Sequence, residues 1–214
     1  MAARTVISPG DGVPLAALLR ADDDTRPADF FARVAHRAAK AIGAGGVHVE
    51  PCFVDGALLA EARACCSGAA SSLPPPLRRI VGTVERLRAA LAPACGRDLL
   101  SSAELTVLRY RPGGSYRRHL DDRPGITLGP RAANGAAASA SAVRRSLSLL
   151  IYLTPDDWSA ADGGELRCYC GGEAVDVAPA AGTLVVFDSR SVPHEVLTTR
   201  RERLVIAGWL QEAV

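Results

Sequence analysis

Three side chains in this sequence have the types and the spacing to hold a divalent metal. His119 and Asp121 stand two apart in Tyr116-Arg117-Arg118-His119-Leu120-Asp121. Residues two apart in an extended segment project from one face, so an imidazole and a carboxylate converge there. His194, in Pro193-His194-Glu195-Val196 after the strand-like run Gly182 to Phe187, is the candidate third ligand. Two histidines and a carboxylate on one side of an octahedral ion leave three positions open, the arrangement that suits Fe(II) and oxygen chemistry. A lone His-x-Asp arises often by chance, so its weight comes from what accompanies it.

Arg203 accompanies it, nine residues beyond His194 (203 − 194) at the start of the last strand-like run. Arg203, Val205, Ala207 and Trp209 share one face of that run, which points the arginine towards a core. A guanidinium among apolar residues is costly without an anionic partner. A dicarboxylate gripped bidentately would supply one. Tyr152 offers a second donor, because Ser148, Leu150 and Tyr152 alternate on one face of their strand. The alternative for Arg203 is a structural ion pair with Glu202 or Asp188. For Tyr152 and Trp209 it is an ordinary place in the core.

Two kinds of element must position these groups. The first part of the chain reads as helices. Thr25 caps one, with Pro27 in its first turn and Phe30, Phe31, Val34, Ala35, Ala38 and Ile42 at helical spacing, until Gly43, Gly45 and Gly46 stop it. Asp55 caps a second helix that runs towards Cys66. A third carries Leu77, Ile80, Val81, Val84, Leu87 and Leu91 on one side. His36 and the strand residue His48 have no neighbours at ligand spacing and read as structural or surface residues.

From Glu104 onward the pattern changes to short β-type runs: Leu105–Tyr110, Tyr116–Leu120, Ser146–Leu153, Glu165–Cys170, Ala174–Val177, Thr183–Phe187, His194–Leu197 and Leu204–Leu210. Short strands in this number after a helical start imply a two-sheet β-sandwich or jelly-roll barrel. Residues 1–24 read as a flexible lead-in and 25–214 as one catalytic domain, with helical support over 25–95 and a β core over 103–214. An Ala/Gly/Ser-rich insertion at 125–143 reads as a mobile loop beside the His119/Asp121 segment. The arginines around it (Arg123, Arg131, Arg144, Arg145) would favour a substrate segment with acidic neighbours.

Composition sets the frame. At 214 residues, 48% hydrophobic and 22% charged, the chain suits one globular domain. A formal net charge of +2, with no basic stripe interleaved with aromatics, points away from nucleic acid. No apolar run reaches membrane-spanning length, and Val13 to Leu19 is too short and too weakly flanked to read as a signal peptide. The six cysteines have neither zinc-finger nor redox spacing and read as reduced thiols of a cytoplasmic protein.

The segment from Leu105 to Gln211 resembles the catalytic domain of Fe(II)/2-oxoglutarate-dependent dioxygenases of the prolyl 4-hydroxylase type. It is most similar to the oxygen-sensing prolyl hydroxylase domain enzymes and their microbial relatives. The residues that carry the resemblance are Arg109-Tyr110-x-Pro112-Gly113-Gly114-x-Tyr116-x-Arg118-His119-x-Asp121, Leu150-x-Tyr152-Leu153-x-x-Asp156-Asp157-Trp158, Asp162-Gly163-Gly164-Glu165-Leu166-Arg167, Pro193-His194-Glu195-Val196, and Arg203 with Gly208-Trp209. The resemblance implies a mainly β fold with supporting α-helices: a double-stranded β-helix (jelly roll) with the N-terminal helices packed on one sheet.

It further implies that His119, Asp121 and His194 hold Fe(II), and that Arg203 and Tyr152 bind the distal carboxylate of 2-oxoglutarate. Tyr110 would approach the co-substrate, and Leu150, Leu166, Val196 and Trp209 would line its pocket. O2 is the oxidant, L-ascorbate the reductant, and succinate and CO2 the by-products. The expected substrate is a prolyl residue in a protein or peptide. Free proline or another amino-acid side chain is the alternative, and a non-catalytic binding module a more remote one. A monomer is expected. Nucleic-acid dealkylation ranks low, because its base-stacking aromatics and second arginine are missing. Two segments depart from the family: Ser67 to Pro76 is shorter, and the 125–143 insertion longer, than relatives carry. Both border substrate access in the family, so the motifs speak to chemistry more than to substrate.

Overall fold

The computed structural model describes residues 3–6, 26–66, 73–122 and 143–214. Helix α1 (Ala28–Gly43) buries Phe31, Val34, Ala35, Ala38 and Ile42, one stripe at helical spacing. Pro27 is its N-cap and does not enter the first turn; Thr25 lies outside the described residues. Helix α2 (Gly56–Cys65) starts where the Asp55 carboxylate accepts the Leu58 N–H at 2.9 Å, as the sequence led us to expect. Helix α3 (Pro75–Cys95) begins on prolines, whose missing N–H groups are no loss in a first turn, and ends at Gly96 in the left-handed region (φ 62°).

The strands are β1 (Ala3–Val6), β2 (Val47–Glu50), β3 (Leu99–Tyr110), β4 (Tyr116–His119), β5 (Val143–Tyr152), β6 (Leu166–Cys170), β7 (Glu173–Val177), β8 (Leu184–Asp188), β9 (His194–Val196) and β10 (Arg203–Ala213). They form a six-stranded sheet in the order β1-β3-β10-β5-β8-β2 and a four-stranded sheet in the order β4-β9-β6-β7. Every pairing is antiparallel. This is the mainly β double-stranded β-helix that the resemblance implied.

Two expectations need correction. The lead-in is not unstructured throughout: Ala3 pairs with Arg109 and Val6 with Thr106. The physical reason is the outer edge of β3, whose backbone groups would otherwise lack partners. Strand β3 itself starts at Leu99 instead of Leu105, because β10 is long enough to pair with it as far as Leu99. The 125–143 insertion lies outside the described residues, apart from Val143, which opens β5.

The larger sheet separates two cores. One face packs Leu105 and Val107 of β3, Leu147, Leu149 and Ile151 of β5, Leu184 and Val186 of β8, and Leu204 and Ile206 of β10 against the three helices. The residues between them face the other way: Tyr110, Leu150, Tyr152, Val185, Phe187 and Val205 meet Leu166, Cys168, Val177 and Val196 from the smaller sheet. Period-two alternation thus gives each of these strands to both cores at once. The helix side is the larger core and carries most of the apolar burial. Among the described residues no helix is long and apolar enough to cross a membrane, and all six cysteines are free thiols.

Candidate functional site

The two histidines come from neighbouring strands of the smaller sheet. His119 ends β4 and His194 begins β9; the two are direct register partners, with ring centroids 4.2 Å apart. Between Tyr116↔Val196 and His119↔His194, β4 advances three residues while β9 advances two, which is a β-bulge. The extra residue brings Tyr116 beside His119, edge to face at 4.6 Å.

Asp121 departs from expectation. It does not share a strand with His119: β4 has ended, and Asp121 sits in a bend. Its carboxylate still converges with the imidazoles, Oδ1 at 3.3 Å from His119 Nε2 and Oδ2 at 3.6 Å from His194 Nε2. All three ligand atoms lie within 4.8 Å of one another. The larger sheet performs the positioning that strand alternation was expected to perform. Ser148 Oγ of β5 donates to Oδ2 at 2.6 Å, Arg145 Nη1 donates to the Asp121 carbonyl at 3.3 Å, and the Asp122 N–H donates to the Ser189 carbonyl at 3.1 Å.

The histidine tautomers follow from the backbone. His119 Nδ1 lies 3.0 Å from the Arg117 carbonyl and His194 Nδ1 lies 3.1 Å from the Val192 carbonyl. A carbonyl only accepts, so Nδ1 carries the proton in both rings and Nε2 presents its lone pair to the cluster. Burial lowers the His194 pKa, which keeps that lone pair free. Burial would raise the Asp121 pKa, but the two imidazoles beside the carboxylate, the Ser148 hydroxyl that donates to it and the neighbouring Trp209 bring it down to about 2. A neutral imidazole pair and an ionised carboxylate form the donor set of a divalent-metal site.

Beside this cluster lies the second core, and in it Arg203. The side chain is wholly buried. Its Nε donates to the Gly164 carbonyl at 2.8 Å, and its guanidinium carbon lies 5.1 Å from the Tyr110 ring centre and 5.0 Å from that of Tyr152. Among the described residues, Nη1, Nη2 and the Tyr152 hydroxyl have no hydrogen-bond partner. The ion-pair alternative fails on particulars: Glu202 pairs with Arg109 at 2.7 Å, and Asp188 pairs with Arg97 and Arg190. Burial pushes the Tyr152 hydroxyl up to about 12, so at neutral pH it keeps a proton to donate. Gly164 (φ 76°) lets the arginine pass, since a Cβ there would lie 3.0 Å from Arg203 Cδ.

Tyr110, Leu150, Leu166 and Val196 all belong to this cluster. Trp209 is not part of that cluster: it stands beside Ser148 in strand register and lies under the Arg145 guanidinium at 3.7 Å. Arg145 is also held by both carboxylate oxygens of Glu104, at 2.7 and 2.9 Å, and Arg144 by Glu212 at 2.8 Å. Neither is left over for an acidic substrate, and Arg123 and Arg131 lie outside the described residues. The sequence reading missed Cys168, buried in the pocket wall directly opposite His194. It also gave no role to Ser148 or Ser189. The alternation of Ser148 with Leu150 and Tyr152 was the one signal available for the former.

Residues 105–211, half of the chain, match the family model of the 2OG-Fe(II) oxygenase superfamily, and the chain belongs to that superfamily. Within it, the chain is similar to a PKHD-type hydroxylase of Maricaulis maris, 30% identical over 113 residues, which cover 52% of this chain and 43% of that relative. The chain thus spans under half the length of that curated relative. Among solved structures it is similar to a Pseudomonas putida prolyl-4-hydroxylase: 29% identity, TM-score 0.67, covering 83% of this chain and 91% of that one. A Trichoplax adhaerens prolyl hydroxylase, solved in complex with a hypoxia inducible factor oxygen degradation domain peptide fragment, shares the fold at 18% identity and TM-score 0.65, covering 88% of this chain and 94% of that one. The family implies Fe(II), 2-oxoglutarate and O2. The residues present fit: a His-Asp-His set for the metal, and unpartnered buried donors on Arg203 and Tyr152 for a carboxylate.

Proposed function

We propose that the protein is an Fe(II)- and 2-oxoglutarate-dependent dioxygenase that hydroxylates a prolyl residue in a protein or peptide, with release of succinate and CO2. The observation that carries this reading is the pairing of two features: a complete set of metal donors and, beside it, a buried arginine whose terminal nitrogens have no partner. In this reading His119, Asp121 and His194 hold Fe(II), and L-ascorbate keeps the metal reduced. With 2-oxoglutarate and O2, the metal supplies an oxidant strong enough to attack an unactivated C–H bond.

The chain supplies position and shielding. Backbone carbonyls fix both imidazoles with Nε2 forward. Arg203 and Tyr152 grip the distal carboxylate of 2-oxoglutarate beside the buried side chains of Tyr110, Leu150, Leu166 and Val196, where exclusion of water strengthens a charge-assisted hydrogen bond. The prolyl substrate is supported by similarity to the Pseudomonas putida prolyl-4-hydroxylase. The experiment is incubation of a peptide library with protein, Fe(II), ascorbate and 2-oxoglutarate, following succinate and a +16 Da product by mass spectrometry. Succinate matched by +16 Da on proline is expected. Product on other side chains alone overturns the prolyl assignment, and no succinate above an Asp121→Ala control overturns the enzyme.

A further inference from the structure

Asp121 is the one member of the triad that no strand holds. Its oxygens could turn towards or away from the imidazoles by rotation about the side chain, and what stops that rotation is a pair of serines. Ser148 Oγ lies 2.6 Å from Asp121 Oδ2 and 2.8 Å from Ser189 Oγ. An ionised carboxylate only accepts, so the Ser148 proton points at Oδ2. That leaves Ser148 as acceptor towards Ser189, whose own hydroxyl must then be the donor. The hydrogen bonds therefore run one way, from Ser189 through Ser148 to Asp121.

Both serines are almost wholly buried, at 1% and 0% exposure. Ser148 is fixed between Phe187 of β8 and Trp209 of β10 by strand register. Ser189 follows β8 directly and is tied by its N–H to the Ser146 carbonyl at 3.1 Å, while its carbonyl accepts the Asp122 N–H. Ser189 thus holds the bend at two points, the side chain through Ser148 and the backbone through Asp122.

We infer that Ser148 and Ser189 are positioning residues for the metal. Their relay occupies Oδ2 and leaves Oδ1, the oxygen 3.3 Å from His119 Nε2, without a hydroxyl donor, so that the carboxylate would bind through that one oxygen. The inference rests on the proposed metal site and adds the device that sets the geometry of its carboxylate. Two sheets then share the metal: the smaller brings the histidines, and the larger, through two hydroxyls, brings the acid.

The test is titration of the full-length apoprotein with Co(II) alone, reading affinity and the visible ligand-field spectrum, which reports coordination. Ser148→Ala is expected to weaken Co(II) binding roughly ten- to a hundred-fold, the usual range for loss of an outer partner of a metal ligand, and to alter the spectrum. Ser148→Thr keeps the hydroxyl and should restore both. Ser189→Ala should give a smaller loss in the same direction, since its backbone tether survives. Ser148→Ala with wild-type affinity and spectrum overturns the relay, as does a loss that Ser148→Thr fails to restore. An Asp121→Ala protein that binds Co(II) as the wild type does would instead overturn the metal site itself.

Discussion

Arg203 provides a prediction whose sign separates two roles for the residue. A structural ion pair and an empty carboxylate receptor both bury a guanidinium, but they respond oppositely to its removal. Breaking a buried pair strands its partner and costs about 3–5 kcal/mol. Among the described residues Arg203 has no acidic partner to strand, and two of its nitrogens are unsatisfied at 0% exposure. Arg203→Met therefore removes an uncompensated buried charge and replaces it with an apolar side chain of similar length, a change that can be neutral or stabilising by about 1–4 kcal/mol. Against that stands the lost bond to the Gly164 carbonyl, about 1–3 kcal/mol, together with contacts to two tyrosine rings.

The unliganded variant should thus lie within about 1–2 kcal/mol of wild type in urea denaturation. The ligand response should differ sharply. In the Mn(II)-loaded protein without O2, 2-oxoglutarate at a hundred times its Kd should stabilise the wild type by about 2.7 kcal/mol and leave Arg203→Met unmoved. Arg203→Lys keeps the charge without the planar fork, so its apparent affinity should fall about ten-fold or more. A variant several kcal/mol less stable before ligand is added, or one still stabilised by 2-oxoglutarate, would refute the receptor role.

Other outcomes follow from the same geometry. Asp121→Ala should abolish 2-oxoglutarate turnover while preserving the far-UV circular dichroism and cooperative unfolding, because the residue sits in a bend outside the strands; retained turnover would remove it from the ligand set. Gly164→Ala places a methyl 3.0 Å from Arg203 Cδ at a φ of 76°. It should cost about 1–3 kcal/mol and weaken 2-oxoglutarate binding in the same protein, measured by denaturation and calorimetry. Burial alone would raise the Asp188 pKa, but bonds from Arg97 and the Arg190 N–H hold it below the ordinary carboxylate range. Its folded-state pKa is lowered, so its stabilisation is full above the unfolded value near 4 and fades as pH falls through the folded one. Asp188→Asn should accordingly be less stable than wild type at pH 7, with the gap narrowing below about pH 4; a gap independent of pH would rule out the charge as its cause.

The metal donors and Arg203 were legible because each follows from local pattern: His-x-Asp spacing, a histidine after an apolar run, and an arginine in register with core residues. Strand alternation also placed Ser148, Leu150 and Tyr152 on one face, as the second core shows. What alternation could not show was the bulge in β4, which depends on pairing with β9, or the end of that strand before Asp121. Asp121 converges on the two imidazoles as expected, but from a bend and not from the strand of His119. Trp209 likewise reads as one more residue of an apolar face, yet its ring is covered by the guanidinium of Arg145, which comes from a strand remote in sequence. The Ser189 contribution was not legible, since a serine after a strand carries no local signal of the hydroxyl it will meet.

Strand β10 lies between β3 and β5 and hands its residues alternately to the helix-packed core and to the pocket. That interleaving sets how the protein can change over generations. A substitution at Val205 alters the packing around Tyr110 and Tyr152 while leaving Leu204 and Ile206 seated against the helices, so one face of the strand can change without the other. A one-residue insertion or deletion in the same strand has no such freedom. It turns every later side chain over, sending pocket residues into the helical core and core residues into the pocket. Drift along this strand should therefore proceed by replacement at fixed length, with variation in length confined to the connections between strands.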